Sequence, residues 1–89
     1  MEFDFDPVKS RINKQKHGID FREAQKLWND AYRIIIPAKN LDEPGYLLMG
    51  MLYDKIWSAI FTVRENKIRI ISVRRARKNE KQIYEGRSL

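Results

Sequence analysis

Ile56-Trp57-Ser58-Ala59-Ile60-Phe61-Thr62-Val63-Arg64-Glu65-Asn66-Lys67-Ile68-Arg69-Ile70-Ile71-Ser72-Val73 is the stretch from which the fold can be read. Two runs rich in β-branched and aromatic residues flank Glu65-Asn66, the pattern of a hairpin closed by a two-residue turn. That turn sets the register, with Arg64 opposite Lys67, Val63 opposite Ile68, Thr62 opposite Arg69 and Phe61 opposite Ile70. Side chains alternate across a strand, so Phe61, Val63, Ile68 and Ile70 form an apolar face while Thr62, Arg64, Lys67 and Arg69 gather on the other. Three cations in one patch repel across the ladder, which destabilises the sheet unless an anion or an acidic partner group neutralises them.

Outward from this hairpin, Tyr46 to Tyr53 is a further strand, joined to Ile56–Arg64 by a turn at Asp54-Lys55. Ala38 to Gly45 is a polar loop, and Tyr32 to Ile36 is a strand stopped by Pro37, beside the sheet edge. The strands make an antiparallel meander. Toward the start, Phe3-Asp4-Phe5-Asp6 alternates with period two and suits a short edge strand. Pro7 after an Asp6 cap opens a helix with Val8 and Ile12 on one face, closed by His17-Gly18. Asp20-Phe21-Arg22-Glu23 is a capping box for a second helix running to Trp28, with Phe21, Ala24 and Trp28 on its inner face. Arg74 to Arg87 is rich in helix formers, with Ala76, Ile83 and Tyr84 spaced to cover the sheet. The fold class is α+β: one domain over residues 1–89, a short strand and two helices, the meander, and a basic C-terminal helix.

At 89 residues the chain has no room for a second domain. A chain of this size buries only about 60 to 65 per cent of its unfolded surface, so a partner adds usefully to its stability. There is no cysteine and one histidine, which leaves no thiol nucleophile and no multi-histidine metal cluster; no metal or cofactor is expected. No apolar run reaches the roughly 18 residues of a membrane span. The acidic, aromatic start is unlike a signal peptide, so the cytoplasm is the expected location. Charge is distributed unevenly: residues 1–63 hold nine Lys+Arg and nine Asp+Glu, residues 64–89 nine and three, so the whole excess of six lies in the last part of the chain. A local basic region suits a polyanion, because Lys and Arg displace counterions from phosphates.

Three stretches carry a resemblance to a known family: Phe3-Asp4-Phe5-Asp6-Pro7, then Asn13-Lys14-Gln15-Lys16-His17-Gly18-Ile19-Asp20-Phe21-Arg22-Glu23-Ala24, then Ile68-Arg69-Ile70-Ile71-Ser72-Val73-Arg74-Arg75-Ala76-Arg77 with Glu80 and Tyr84. Together they resemble the BrnT-type toxins of bacterial type II toxin–antitoxin pairs. The resemblance implies a RelE-like fold and a ribonuclease that halts translation. It also implies a BrnA-like ribbon-helix-helix antitoxin that neutralises the toxin, the complex repressing its own promoter DNA. Two cations common in the family are missing here, where Gly45 precedes Tyr46 and Met51 follows Gly50.

RNA is cut without metal when its 2′-hydroxyl attacks the neighbouring phosphate. A base removes that proton, cations hold the phosphorane oxygens, and an acid protonates the leaving 5′-oxygen. Histidine ordinarily titrates near neutrality, so His17 is the candidate base or acid, with Lys16 beside it disfavouring a second positive charge. A helix-ending histidine that caps carbonyls explains His17 equally well. Arg64 and Arg69 are the candidate phosphate holders, since a guanidinium fork grips two oxygens at once. Lys67, Arg69, Arg74, Arg75 and Arg77 are the candidate RNA track, with Arg74 and Arg75 leaving their strand in opposite directions. Arg77, Glu80 and Tyr84, at i, i+3 and i+7, share one side of the final helix, so Glu80 is placed to orient an arginine and Tyr84 to donate to phosphate or stack on a base. A surface ion pair and a core tyrosine explain the same spacing. Trp28, Trp57, Phe61, Met49 and Met51 are assigned to packing. The rival to a metal-independent endoribonuclease is a basic module that binds RNA or DNA without cutting it, or an inert toxin that only engages its antitoxin.

Overall fold

A computed structural model describes residues 1–39 and 44–86. The decisive hairpin is β4 (Lys55–Arg64) and β5 (Lys67–Arg75), paired in the register read from sequence, from Arg64 opposite Lys67 to Phe61 opposite Ile70. Glu65 and Asn66 have φ of 52° and 64°, the doubly left-handed turn whose twist matches a hairpin. The preceding turn lies one residue earlier than expected. Leu52 pairs with Lys55, so Tyr53 and Asp54, at φ 55° and 59°, form the turn and Lys55 joins the ladder.

Strand β3 (Gly45–Leu52) pairs with β4, and β2 (Ile34–Ala38) pairs with β3. Pro37 lies within β2 rather than ending it, which an outer strand tolerates because a missing N–H then faces away from the ladder. The short N-terminal strand β1 (Glu2–Asp4) lies parallel to β5 at the other edge, so the sheet is mixed, in the order β1-β5-β4-β3-β2, and not wholly antiparallel.

Helix α1 (Pro7–His17) begins at the Asp6 cap, whose Oδ1 accepts from Val8 N–H at 2.8 Å, and ends at Gly18 with φ 92°. Its buried residues are Ser10 and Asn13, whereas Val8 and Ile12 are exposed, contrary to the apolar face expected. The Asp20/Glu23 capping box opens α2 (Phe21–Ala24), which tightens into a 3₁₀ turn over Gln25–Asn29 in place of one regular helix. Phe21, Ala24 and Trp28 are buried, as their spacing requires, and Leu27 is buried with them. Helix α3 (Lys78–Gly86) starts later than expected because Arg74 and Arg75 remain in β5. Its expected end at Arg87, and part of the expected 38–45 loop, lie outside the described residues. Among the described residues no helix is long and apolar enough to cross a membrane.

The main core lies between one sheet face and the α2 region, with Ile19, Phe21, Leu27, Leu48, Ala59, Ile70 and Val73 almost wholly buried. Edge-to-face contacts link Phe3 to Trp28 at 5.0 Å and Trp28 to Phe61 at 5.1 Å, and Tyr46 stacks on Phe61 at 5.3 Å. On the second face α3 covers Met49 and Ile56 with Tyr84. Ile83 and Met51 are both exposed, so neither is the packing residue anticipated.

Two features decide where the functional side chains go. First, Ile70 pairs with Phe61 and Ser72 with Ile60, leaving Ile71 as an extra residue in β5. This bulge reverses the alternation, so Arg69 shares the second face with Ser72 and Arg74 although it lies an odd number of residues from each. Second, the Asn13 amide stands in for a neighbouring strand where β1 has ended. Its Nδ2 donates to Val73 C=O at 2.9 Å and to Ile19 C=O at 2.9 Å, and its Oδ1 accepts from Val73 N–H at 3.1 Å.

Polar clamps dock α3. The Glu80 carboxylate takes both prongs of Arg74, at 2.7 and 3.0 Å, and also accepts from Ser58 Oγ at 2.9 Å and Arg77 N–H at 2.8 Å. The Arg74 bonds chiefly hold the Glu80 carboxyl at about 2, against the pull of burial, and raise Arg74 above its ordinary value. Tyr84 donates to Asp30 at 2.6 Å. Burial, then that bond, pushes the phenol up to about 12. Burial also works against the Asp30 carboxylate, but bonds from Tyr84 and from Met51 and Tyr32 N–H outweigh it and lower its pKa.

Asn13→Ala leaves three buried backbone groups without their partner and is predicted to cost about 3 kcal/mol in urea unfolding. Glu80, depressed on folding, contributes fully above its unfolded value of 4.5 and loses its contribution as pH falls toward about 2. Acid titration of stability is therefore predicted to drop over that window by about 3 kcal/mol at most in the native chain, and Glu80→Gln to flatten it.

Candidate functional site

Among the described residues the second sheet face is covered by α3 at one end only. At the hairpin end it presents the patch expected from the register: Arg64, Lys67 and Arg69 around Thr62. The acids that neutralise it come from within the chain, because the parallel register of β1 sets Glu2 beside Lys67 and Asp4 beside Arg69. Asp4 Oδ2 lies 2.7 Å from Arg69 Nη1, whereas the Glu2–Lys67 separation is 3.8 Å. The tighter pair fixes one prong of a guanidinium whose side chain is 30% exposed. Thr62 Oγ1 is buried beneath this patch without a hydrogen-bond partner.

Along the same face the bulge aligns Arg69, Ser72 and Arg74. Arg74 is held by Glu80, in place of the Arg77 guanidinium that the i, i+3 spacing brought to the same side of the helix. Arg75 issues from the opposite face, with its guanidinium 5.6 Å from the Trp57 ring centre. The two neighbours thus diverge, as strand alternation demands. Arg77 is exposed just before α3 and contributes its backbone N–H to Glu80. Tyr84 is buried with its hydroxyl engaged by Asp30.

His17 and Lys16 stand elsewhere, exposed on the last turn of α1. They border a cleft with Lys9, Ile12 and Asn13 on one wall and Ile71 and Ser72 of β5 on the other. The structure thus makes two groups. Arg64, Lys67, Arg69 and Arg74 lie on one sheet face; Lys16 and His17 lie beside the β5 edge, on the helix that Asn13 anchors there. Ser72 belongs to both, sharing a face with Arg69 and bordering the cleft.

Sequence reasoning missed Asp4, Lys9 and Ser72 in this arrangement. The acid-apolar alternation around Asp4 was a usable signal, since an edge strand beside a cationic hairpin must turn its acids toward it. Nothing in the local pattern marked the Ile71 bulge that brings Ser72 and Arg74 into line.

No curated protein matches the chain. A family model described as the ribonuclease toxin BrnT of type II toxin–antitoxin systems matches residues 5–80, from just after the β1 acids through Glu80. The matched span contains the bulged strand, the anchored helix and both cationic groups. The chain therefore belongs to the BrnT family of type II ribonuclease toxins.

Proposed function

We propose that the chain is a metal-independent endoribonuclease whose RNA substrate crosses the β5 edge at Ser72, with Arg69 and Arg64 gripping the scissile phosphate and His17 reaching the same linkage from the cleft. The 2′-oxygen bonds to phosphorus as the 5′-oxygen leaves. One group removes the 2′-proton and another returns a proton to the leaving oxygen. His17 takes one of these roles, with Lys16 adding positive charge near the phosphorane. Lys67, Arg74 and Arg77 extend the phosphate track, whereas Arg75, turned to the opposite sheet face over Trp57, lies outside it. Glu80 acts by holding Arg74, and Tyr84 by seating α3 against Asp30.

The observation carrying this reading is the bulge. It lines up Arg69, Ser72 and Arg74 on one face and turns Ser72 into the rim of the cleft that holds His17. Cleavage of RNA in the cytoplasm inhibits translation. A BrnA-like ribbon-helix-helix antitoxin restrains the activity, and the complex binds its own promoter DNA.

Purified chain is predicted to cut RNA in excess chelator, and Arg69→Ala and His17→Ala each to slow cleavage about a hundredfold without lowering the melting temperature. Asp4→Asn, which frees the gripping arginine, is predicted to give a smaller loss. Intact RNA bound in a salt-sensitive manner would identify a binding module, and undiminished cleavage by Arg69→Ala would remove that residue from the site.

A further inference from the structure

The sheet ends in two edges of opposite character. The β1 edge is three residues long and carries Glu2 and Asp4. The β2 edge, Ile34-Ile35-Ile36-Pro37-Ala38, carries no charge, and among the described residues no strand pairs with its outer side. Uncharged edges are templates for further pairing and are ordinarily blunted by lysines.

Proline fixes which backbone groups are on offer. Pro37 has no N–H, yet it stands in register with Tyr46, so the pairs that exchange bonds with β3 are Ile34/Met49, Ile36/Leu47 and Ala38/Gly45. The N–H and C=O of Ile35 and the C=O of Pro37 therefore point away from the sheet. Ile35 is 44% exposed, giving the open edge an apolar side chain in solvent.

We propose that β2 receives an extended segment of the antitoxin, adding a sixth strand to the sheet, and that this segment is apolar in the middle and acidic at both ends. The acidic ends are argued from Arg33 and Lys39, which stand immediately before and after β2. The same flanks reject a second copy of this chain. An antiparallel pairing that overlaps the whole strand sets Arg33 opposite Lys39 of the other copy, twice, and puts Pro37 where a return N–H is needed. A segment with acids at those places turns both repulsions into attractions; its N–H groups donate to the C=O of Ile35 and Pro37, and its C=O accepts from Ile35 N–H. This assignment rests on the toxin–antitoxin reading.

The test uses the full chain alone and in complex with the protein encoded beside it. Amide hydrogen exchange at Ile35 should be fast in the free chain and slow in the complex. Ile35→Pro removes the outward N–H while sparing the β2–β3 ladder, and should weaken the complex about tenfold or more while leaving the ribonuclease activity of the free chain unchanged. Lys39→Glu, which does not touch the ladder, should weaken it as well, and less so at high salt. A complex of native affinity with either variant, or an Ile35 amide that stays fast in the complex, would overturn the docking mode alone. Failure of the neighbouring protein to bind the native chain would overturn the antitoxin reading together with it.

Discussion

The side-chain amide of Asn13 is the contact on which the arrangement turns. A β-strand at an edge has backbone groups that need partners, and β1 is too short to serve the far half of β5. Asn13 supplies one donor and one acceptor to Val73 with the spacing of a peptide unit, and its second donor ties down Ile19, where the chain leaves α1 for α2. One buried side chain thus joins helix, strand and connection. Ser10, a turn earlier, accepts from Phe21 N–H at 2.9 Å and fixes the same junction from the other side. A helix held by polar groups has no need of an apolar stripe, which is why α1 leaves Val8 and Ile12 in solvent and keeps its cations for the cleft.

Much of the architecture was legible because its causes are local. The Glu65-Asn66 hairpin, its register, the Asp6 and Asp20 caps and the Gly18 stop each depend on a few adjacent residues. The features that escaped depend on distant ones. The parallel pairing of β1 joins residues 65 apart in sequence, as Asp4 and Arg69 do. The late start of α3 reflects the continuation of β5 alongside β4 through Arg75, followed by a bond from Ala76 N–H to Ile56 C=O at 2.9 Å. Helix propensity in Arg74–Arg77 yields to that ladder.

The candidate site divides along the same line. The patch of Arg64, Lys67 and Arg69 followed from hairpin register alone. The assignment of Arg74 to the same face did not, because it requires the bulge. The divergence of Arg74 and Arg75 was accessible from alternation, but which of them Glu80 holds was not. His17 was found by chemistry rather than geometry, and the cleft it borders lies where Asn13 draws α1 against the strand.

The parallel placement of β1 also has a temporal consequence. During synthesis the first strand leaves the ribosome well before Lys67–Arg69, the segment it must pair with, has been translated. Until then Asp4 has no arginine to hold, Asn13 no strand to anchor on, and the cleft no second wall. A chain built this way keeps its two groups of cations apart until both halves of the fold have been synthesised, so its long-range pairing forms late.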